Sequence, residues 1–402
     1  MLYRPNVSNK ELIPLSWPLA AYRLLNNICW PLRDGANLPE RLFDRFCWWL
    51  CFIIFIQHND AELRYIVVNR DDLDQMLTCV PEYLILIEIH IRAFQLGLKK
   101  DDFKTFLKKF YAEVYVDKSS HPKLYANIQQ RLRPIWFFSA LYYMTLSSFF
   151  LTLLNNNLNN AKEPLYKMYY PFDITPHAIY VAIVFSNIWV GLIAITTISG
   201  EDNLLSEVML HLNGRFLLLQ QKLRDDTKRL LDEANGKNVD ADDLSRQIVE
   251  AIRENERLYK FAKEFEREFS FRIFTNLSFS AMLLCALGFK VYTNPMSSFG
   301  FMFWICAKVM EMLLIGQLSS TLIATTNQIS SAFYESSWEL VIHQSKDSNA
   351  NVRLMKLLVL AIGTSQKPFT LSGLNYFSVS LTAVLKILQG AGSYFTFLTS
   401  LR

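Results

Sequence analysis

Long uncharged stretches alternate with charged intervals whose Lys and Arg fall almost wholly on alternate sides, and no water-soluble fold accommodates such a chain. Residues 134–161, 174–200, 273–289 and 312–334 carry no Asp, Glu, Lys or Arg. These runs reach or approach the roughly 20 residues that cross a bilayer core of about 30 Å at 1.5 Å per residue. Backbone polar groups have no water partner at that depth, so the spans must be helices. The 30 Phe and 8 Trp among 402 residues exceed what one aqueous core would use; lipid-facing and interfacial rings account for the excess.

Seven spans are expected, near residues 46–57, 76–97, 134–155, 176–198, 272–292, 299–325 and 371–401. With the amino terminus inside, the internal segments 1–45, 98–133, 200–272 and 326–367 hold 6, 9, 13 and 4 Lys plus Arg. The external loops and their edges hold 2, 2 and 1. This bias predicts a cytosolic amino terminus and an extracellular carboxyl terminus. The fold class is therefore an all-α membrane protein of seven transmembrane helices, divided at residues 1–45, 46–199, 200–271, 272–325, 326–370 and 371–402. Pro5, Pro14 and Pro18 interrupt any cleavable signal, so the first span is expected to act as its own anchor.

The charged intervals are not plain linkers. Leu204, Val208, Leu212, Phe216, Leu219 and Leu223, then Ile248, Ile252, Tyr259, Ala262, Phe265 and Phe269, recur at helical spacing. They predict amphipathic cytosolic extensions of spans four and five, turning at Asn235-Gly236 and Asp240 to Asp243. The two apolar faces either cover each other within one chain or meet another subunit, and the pattern alone leaves both open.

Catalytic signatures are absent: there is no GxGxxG, P-loop, HExxH or GxSxG, so an enzyme is not expected. Six cysteines form no CxxC pair, and neither a disulfide framework nor a metal site nor a cofactor is expected. The sequons at Asn6 and Asn276 fall in the tail and inside a span. A net charge of +4 reports topology in such a chain, and nucleic acid is not an expected partner. His90 reads as an imidazole satisfied by a neighbour or facing the cytosol.

Charges inside spans carry more information, because they are costly and pair or face water. Glu88 and Arg92 at i, i+4, and Lys308 and Glu311 at i, i+3, have ion-pair spacing. Lys386 has no local acid and lies about 24 Å from the carboxyl end of the last helix, so a carboxylate from another helix or the wall of a cytosolic vestibule is expected to meet it.

The run Tyr169-Tyr170-Pro171-Phe172-Asp173 resembles the second external loop of insect odorant receptors. Tyr334-Glu-Ser-Ser-Trp338, Ser365-Gln-Lys-Pro368, residues 377–386 and the ending Ser393-Tyr-Phe-Thr-Phe-Leu-Thr-Ser-Leu401 are similar to the last third of that family in order and spacing. The resemblance implies a non-selective cation channel of four subunits in the plasma membrane of olfactory neurons. In it, each subunit has an outer pocket for a small volatile organic ligand, a cytosolic anchor, and a last helix lining the pore. It also implies a shared co-receptor as partner, with lipid around the assembly and cations as permeant ions. The co-receptor tail is close to TYhhhhhQL; Ser393 and Ser400 replace its Thr and Gln here, which identifies this chain with the ligand-selective tuning subunits. A gustatory-type channel is the alternative. A G-protein-coupled receptor is disfavoured by topology and by the absence of DRY and NPxxY, and a transporter by the lack of visible repeated halves.

An apolar and aromatic pocket with few polar groups suits a small ligand. The candidates are Tyr83, Leu84 and Ile87 of span two, and Tyr142, Tyr143, Leu146, Ser147 and Phe150 of span three. Span four offers Ile179, Tyr180 and Ile183; span six offers Phe301, Trp304 and Ile305. Potency is expected to shift on Tyr143→Ala or Trp304→Ala. Matching the tail to the family pattern places Phe397 at a hydrophobic constriction, beside Thr396, Ser400 and Leu401, where an aromatic ring would gate by dewetting.

Overall fold

A computed structural model of the chain describes residues 2–3, 13–25, 31–32, 35–159, 162–234, 240–293, 295 and 299–400. After a short pairing of β1 (Leu2–Tyr3) with β2 (Ile13–Pro14), nearly everything described is helix. The helices are α1 (Trp17–Leu25), α2 (Leu38–Val68), α3 (Leu73–Leu98), α4 (Lys100–Lys109) and, beyond a π-helical turn at Phe110–Val114, α5 (Pro122–Leu158). The long helices α6 (His177–Ala234), α7 (Ala241–Thr293) and α8 (Phe299–Tyr334) follow. Then come α9 (Trp338–Gln344), α10 (Ser348–Thr364), the hairpin of β3 (Ser372–Gly373) and β4 (Phe377–Ser378), and α11 (Leu381–Ser400).

Local chemistry fixes several starts. Asp72 accepts from the Gln75 N–H at 3.1 Å to open α3, and Asp347 accepts from Asn349 and Ala350 at 2.8 and 3.2 Å to open α10. Each cap satisfies N–H groups that a helix cannot satisfy itself. Asp240 does the same for Asp242 ahead of α7; Asn235-Gly236, the expected turn, lies outside the described residues.

At 58 residues α6 is about 87 Å long, nearly three times the thickness of a bilayer core. Its second half and the first half of α7 form a helical layer beyond the spans, as their amphipathic spacing predicts. Leu204, Val208, Leu212 and Phe216 of α6 are fully buried in the same core as Ile248, Ala262, Phe265 and Phe269 of α7. Phe106 of α4 packs on the α7 side of this core, 5.4 Å from Phe261 and 5.7 Å from Phe269. The two apolar faces therefore cover each other inside one chain. An apolar face left exposed in this layer is on α10, where Val352, Met355, Val359 and Leu360 are uncovered.

By length and composition alone, four described helices qualify as spans: Pro122–Leu158, His177–Glu233, Ala241–Thr293 and Phe299–Gln344. Helices α2, α3 and α11 run alongside them but carry more charged or polar residues. The last helix is shorter than its apolar run suggests. Residues 371–380 form the β3–β4 hairpin, with Leu374 and Asn375 at φ 50° and 62°. Its polar groups are taken by neighbouring helices: Ser270 Oγ donates to the Ser372 carbonyl and Ser319 Oγ to the Val379 carbonyl, both at 2.8 Å.

Candidate functional site

A cavity of about 60 Å³ lies among α2, α3, α5, α6 and α8. Its wall is apolar, with Ile85 and Leu86 from α3, Leu146 and Phe149 from α5, Val190, Ala194, Ile195 and Ile198 from α6, and Trp304 from α8. Tyr142 and Thr145 of α5 and Tyr166 of the α5–α6 loop add hydroxyls, and Glu62 and Glu82 add carboxylates. A Cβ at Gly191 would collide with the Tyr166 hydroxyl and Leu146, so glycine there gives the loop its close approach to α6.

That loop is tied down by its own polar groups. The Tyr169 N–H donates to the Ala61 carbonyl of α2 at 3.0 Å, and Tyr180 Oη donates to the Glu163 carbonyl at 3.1 Å. Within the Tyr170-Pro171-Phe172-Asp173 run, the two rings lie 5.9 Å apart and Asp173 accepts from the Thr175 N–H at 2.9 Å.

Of the sequence candidates, Tyr142, Leu146 and Trp304 line the cavity. Phe301 stands one layer behind, stacked on Trp304 at 6.1 Å. Tyr143 turns the other way, 5.5 Å from Trp17 of α1, because one residue along a helix rotates a side chain by about 100°. Tyr180 is buried in the loop contact described above, while Ser147, Phe150 and Ile179 are exposed. Tyr83, Leu84, Ile87, Ile183 and Ile305 are half-buried away from the cavity wall. Sequence reasoning missed Glu62, Glu82, Thr145, Phe149, Tyr166 and the α6 face. Glu82 carried a signal, being a carboxylate inside a span.

Below the cavity a buried polar and ionic network joins five helices, α3, α5, α6, α7 and α8. Tyr142 Oη donates to Glu311. Lys308 lies 3.0 Å from Glu311 and 2.9 Å from Asn276 Oδ1, and Asn276 donates in turn to Glu311 at 2.7 Å. Arg92 reaches Glu88 and Glu201 at 2.9 Å and Asp202 at 3.0 Å. Both intrahelical pairs expected from spacing are thus present, extended by carboxylates from α6. Such a network orders helices more than it stabilises them, since desolvation offsets most of the attraction; removing one member would leave a buried charge unpaired. His90 is satisfied as expected, its Nδ1 2.8 Å from Asn59 Nδ2.

Just beyond the network in α6, burial pushes the Glu207 carboxyl up to about 8, with no ion pair among the described residues. One turn further on, burial and the neighbouring Arg215 push His211 down to about 3. His211 is thereby held neutral, and its Nδ1 accepts from the Val116 N–H at 2.9 Å.

Helix α8 also packs closely on α11. A Cβ at Gly316 would sit 3.1 Å from Leu381 Cα, and the Leu381 N–H donates to Ser320 Oγ at 2.9 Å. With Val384 and Ala391 buried on this side, the opposite face of α11 is a polar stripe of Thr382, Lys386, Gln389, Ser393, Thr396 and Ser400, all exposed. Their spacing of 4, 3, 4, 3 and 4 keeps them within about 40° of one line. Phe397 is 57% exposed at the edge of that stripe, while Leu401 lies outside the described residues. Ser393 and Thr396 bond back to the carbonyls of Gln389 and Gly392, but Lys386 meets no carboxylate among the described residues. Of the two surroundings expected for Lys386, the carboxylate is not found among the described residues, and the side chain is exposed.

Residues 74–392 match the family described as 7tm Odorant receptor. Odorant receptor 74a of Drosophila melanogaster is 44% identical over 400 residues, covering 100% of this chain and 99% of that one. Odorant receptor 35a of the same organism is 38% identical over 402 residues, with 100% and 98% covered. The fold is similar to that of the insect olfactory receptor OR5 from Machilis hrabei in complex with eugenol. That likeness has a TM-score of 0.75 at 12% identity, over 96% of this chain and 100% of that one.

Proposed function

The chain belongs to the 7tm odorant receptor family, and on that premise we propose that it is the odorant-binding tuning subunit of a heteromeric, odorant-gated, non-selective cation channel. The family is one of receptors, and its fold is a multi-pass membrane protein with seven spanning helices. The Lys and Arg bias supports an amino terminus and a helical anchor in the cytosol, and a short-loop face outside the cell.

The observation that carries the channel reading is the stripe on α11. A helix that is otherwise apolar presents Lys386 and Gln389 outward, their side chains without a partner among the described residues. Lipid would leave these groups unpaired at high cost, whereas a water-filled path between subunits would solvate them. Thr396 and Ser400 then line the path, with Phe397 as the apolar ring at its edge.

The cavity supports the ligand reading. The Machilis hrabei receptor of the same fold holds eugenol, and a small, mainly apolar molecule is what these walls fit. Tyr142, Leu146 and Trp304 are the ligand-contacting members of the sequence candidates. At about 60 Å³ the cavity is far below the roughly 300 Å³ at the small end of ligand sites, so binding requires the helices around it to separate. Tyr142 touches both the cavity and Glu311 of α8, and α8 rests on α11; this is the route by which that separation reaches the pore.

The exposed α10 face with Val352, Met355 and Val359 at i, i+3 and i+7 is the surface proposed to meet the co-receptor. Whole-cell recording in cells expressing the chain with and without a co-receptor tests the reading. An odorant-evoked cation current is expected in the pair and not in this chain alone. Odorant responses that need intracellular messengers instead would overturn it.

A further inference from the structure

Glu62 of α2 is 1% exposed and lines the apolar cavity, yet its Oε2 has no hydrogen-bond partner and no ion pair reaches it among the described residues. A second carboxylate, Glu82 of α3, lines the same cavity, and its Oε2 is also without a partner. The cation at this end is Lys290 of α7, already engaged on three sides. It lies 3.6 Å from Glu82, donates to the Thr78 carbonyl at 2.6 Å and sits 4.2 Å over the Phe301 ring. Among the described residues Lys290 pairs with Glu82 and no cation pairs with Glu62, so an ionised Glu62 has no counter-charge in the chain's described part.

An unpaired buried carboxylate is costly, and the cost is largest where the surroundings are apolar. The contact of position 62 with Cys79 is made by the backbone carbonyl, which leaves the side-chain Oε2 unpartnered among the described residues. A ligand that brings a cationic donor supplies both the hydrogen bond and the charge. A hydroxyl supplies only the first. Leu86, Leu146, Phe149 and Ile195 offer the ligand only hydrocarbon, while the hydroxyls of Tyr142, Thr145 and Tyr166 lie elsewhere on the wall and the Trp304 Nε1–H has no partner among the described residues.

We infer that the cavity is a site for a small aliphatic amine, its ammonium group donating to Glu62 and its alkyl chain lying against Leu146, Phe149 and Trp304. This rests on the reading of the cavity as the ligand site. It gives Glu62 the role of selecting the charge of the ligand, and the apolar wall the role of selecting its length.

The test compares n-pentylamine with 1-pentanol, equal in length and different in the head group, on the purified heteromer by direct binding of the labelled compounds. The unsubstituted complex should bind pentylamine more tightly. Glu62→Gln should lower the amine-to-alcohol affinity ratio at least tenfold, and Glu62→Asp should retain most of it. An unchanged ratio in Glu62→Gln overturns the assignment. Thermal stabilisation of the unsubstituted complex gives a check that needs no variant: a larger shift with pentylamine is expected, and a shift equal to or smaller than that with pentanol overturns it. If the amine binds as stated while no odorant evokes current, the amine site stands and the channel reading fails.

Discussion

Tyr142 joins the cavity to the ionic network with a single hydroxyl. Tyr142→Phe keeps the ring on the cavity wall and removes the donor to Glu311, leaving a buried carboxylate short of one bond at a cost of about 1–3 kcal/mol. A shift of roughly tenfold in half-maximal odorant concentration is expected, with surface expression retained; an unchanged dose-response curve would show that the hydroxyl couples nothing. Glu207 offers a second test, on stability. Its folded-state value of about 8 lies above the ordinary 4.5, so the unfolded chain releases this proton first as pH rises. The stability is full below about 4.5 and is lost progressively up to about 8, reaching about 3 kcal/mol at pH 7. Glu207→Gln should therefore raise the melting temperature of the detergent-solubilised protein at pH 7 and change it little at pH 4.5. An equal change at both would remove the linkage. Residue spacing made Glu88–Arg92 and Lys308–Glu311 legible because both partners of each pair sit on one helix. The partners on other helices, Glu201, Asp202 and Asn276, are set by tertiary packing that no spacing reports. Glu62 was invisible for a simpler reason: ending the first span near residue 57 put it in a loop, whereas α2 continues to Val68.

Among the elements, the extensions of α6 and α7 were readable as helices from their period, but not by what covers them. Phe265 and Phe269 are buried within the chain, beside Phe106. Phe265→Asp should accordingly cost about 3–5 kcal/mol of the subunit's own stability by burying an unpaired carboxylate. Loss of the monodisperse peak for this chain expressed alone would show it. Val359→Asp on the exposed face of α10 should spare that peak and reduce co-purification with the co-receptor. The opposite pattern would place the subunit contact on the α6–α7 pair. The last helix illustrates the limit of an apolar run as a signal. Residues 371–380 read as continuous with it, yet Ser372, Gly373 and Asn375 favour a turn, and side chains from α7 and α8 complete that hairpin's hydrogen bonds.

In the whole molecule, the cavity, the network and α11 form one connected column. On the proposed reading, ligand entering against Tyr142 and Trp304 would part the helices that line the cavity, and α8, which packs on α11 at Gly316, would carry that movement to α11. A gain of a few kcal/mol in differential binding is enough to populate the open arrangement. Everything then depends on the polar stripe of α11 facing water along the path of the ions. Single cysteines at Gln389, Ser393 and Thr396 in the stripe, and at Ala391 on the buried side, can be probed with a charged, membrane-impermeant thiol reagent while odorant-evoked current is recorded from the heteromer. The account predicts block at the three stripe positions, faster with odorant present, and none at Ala391. Full current at all three stripe positions after prolonged exposure, with labelling confirmed, would contradict it.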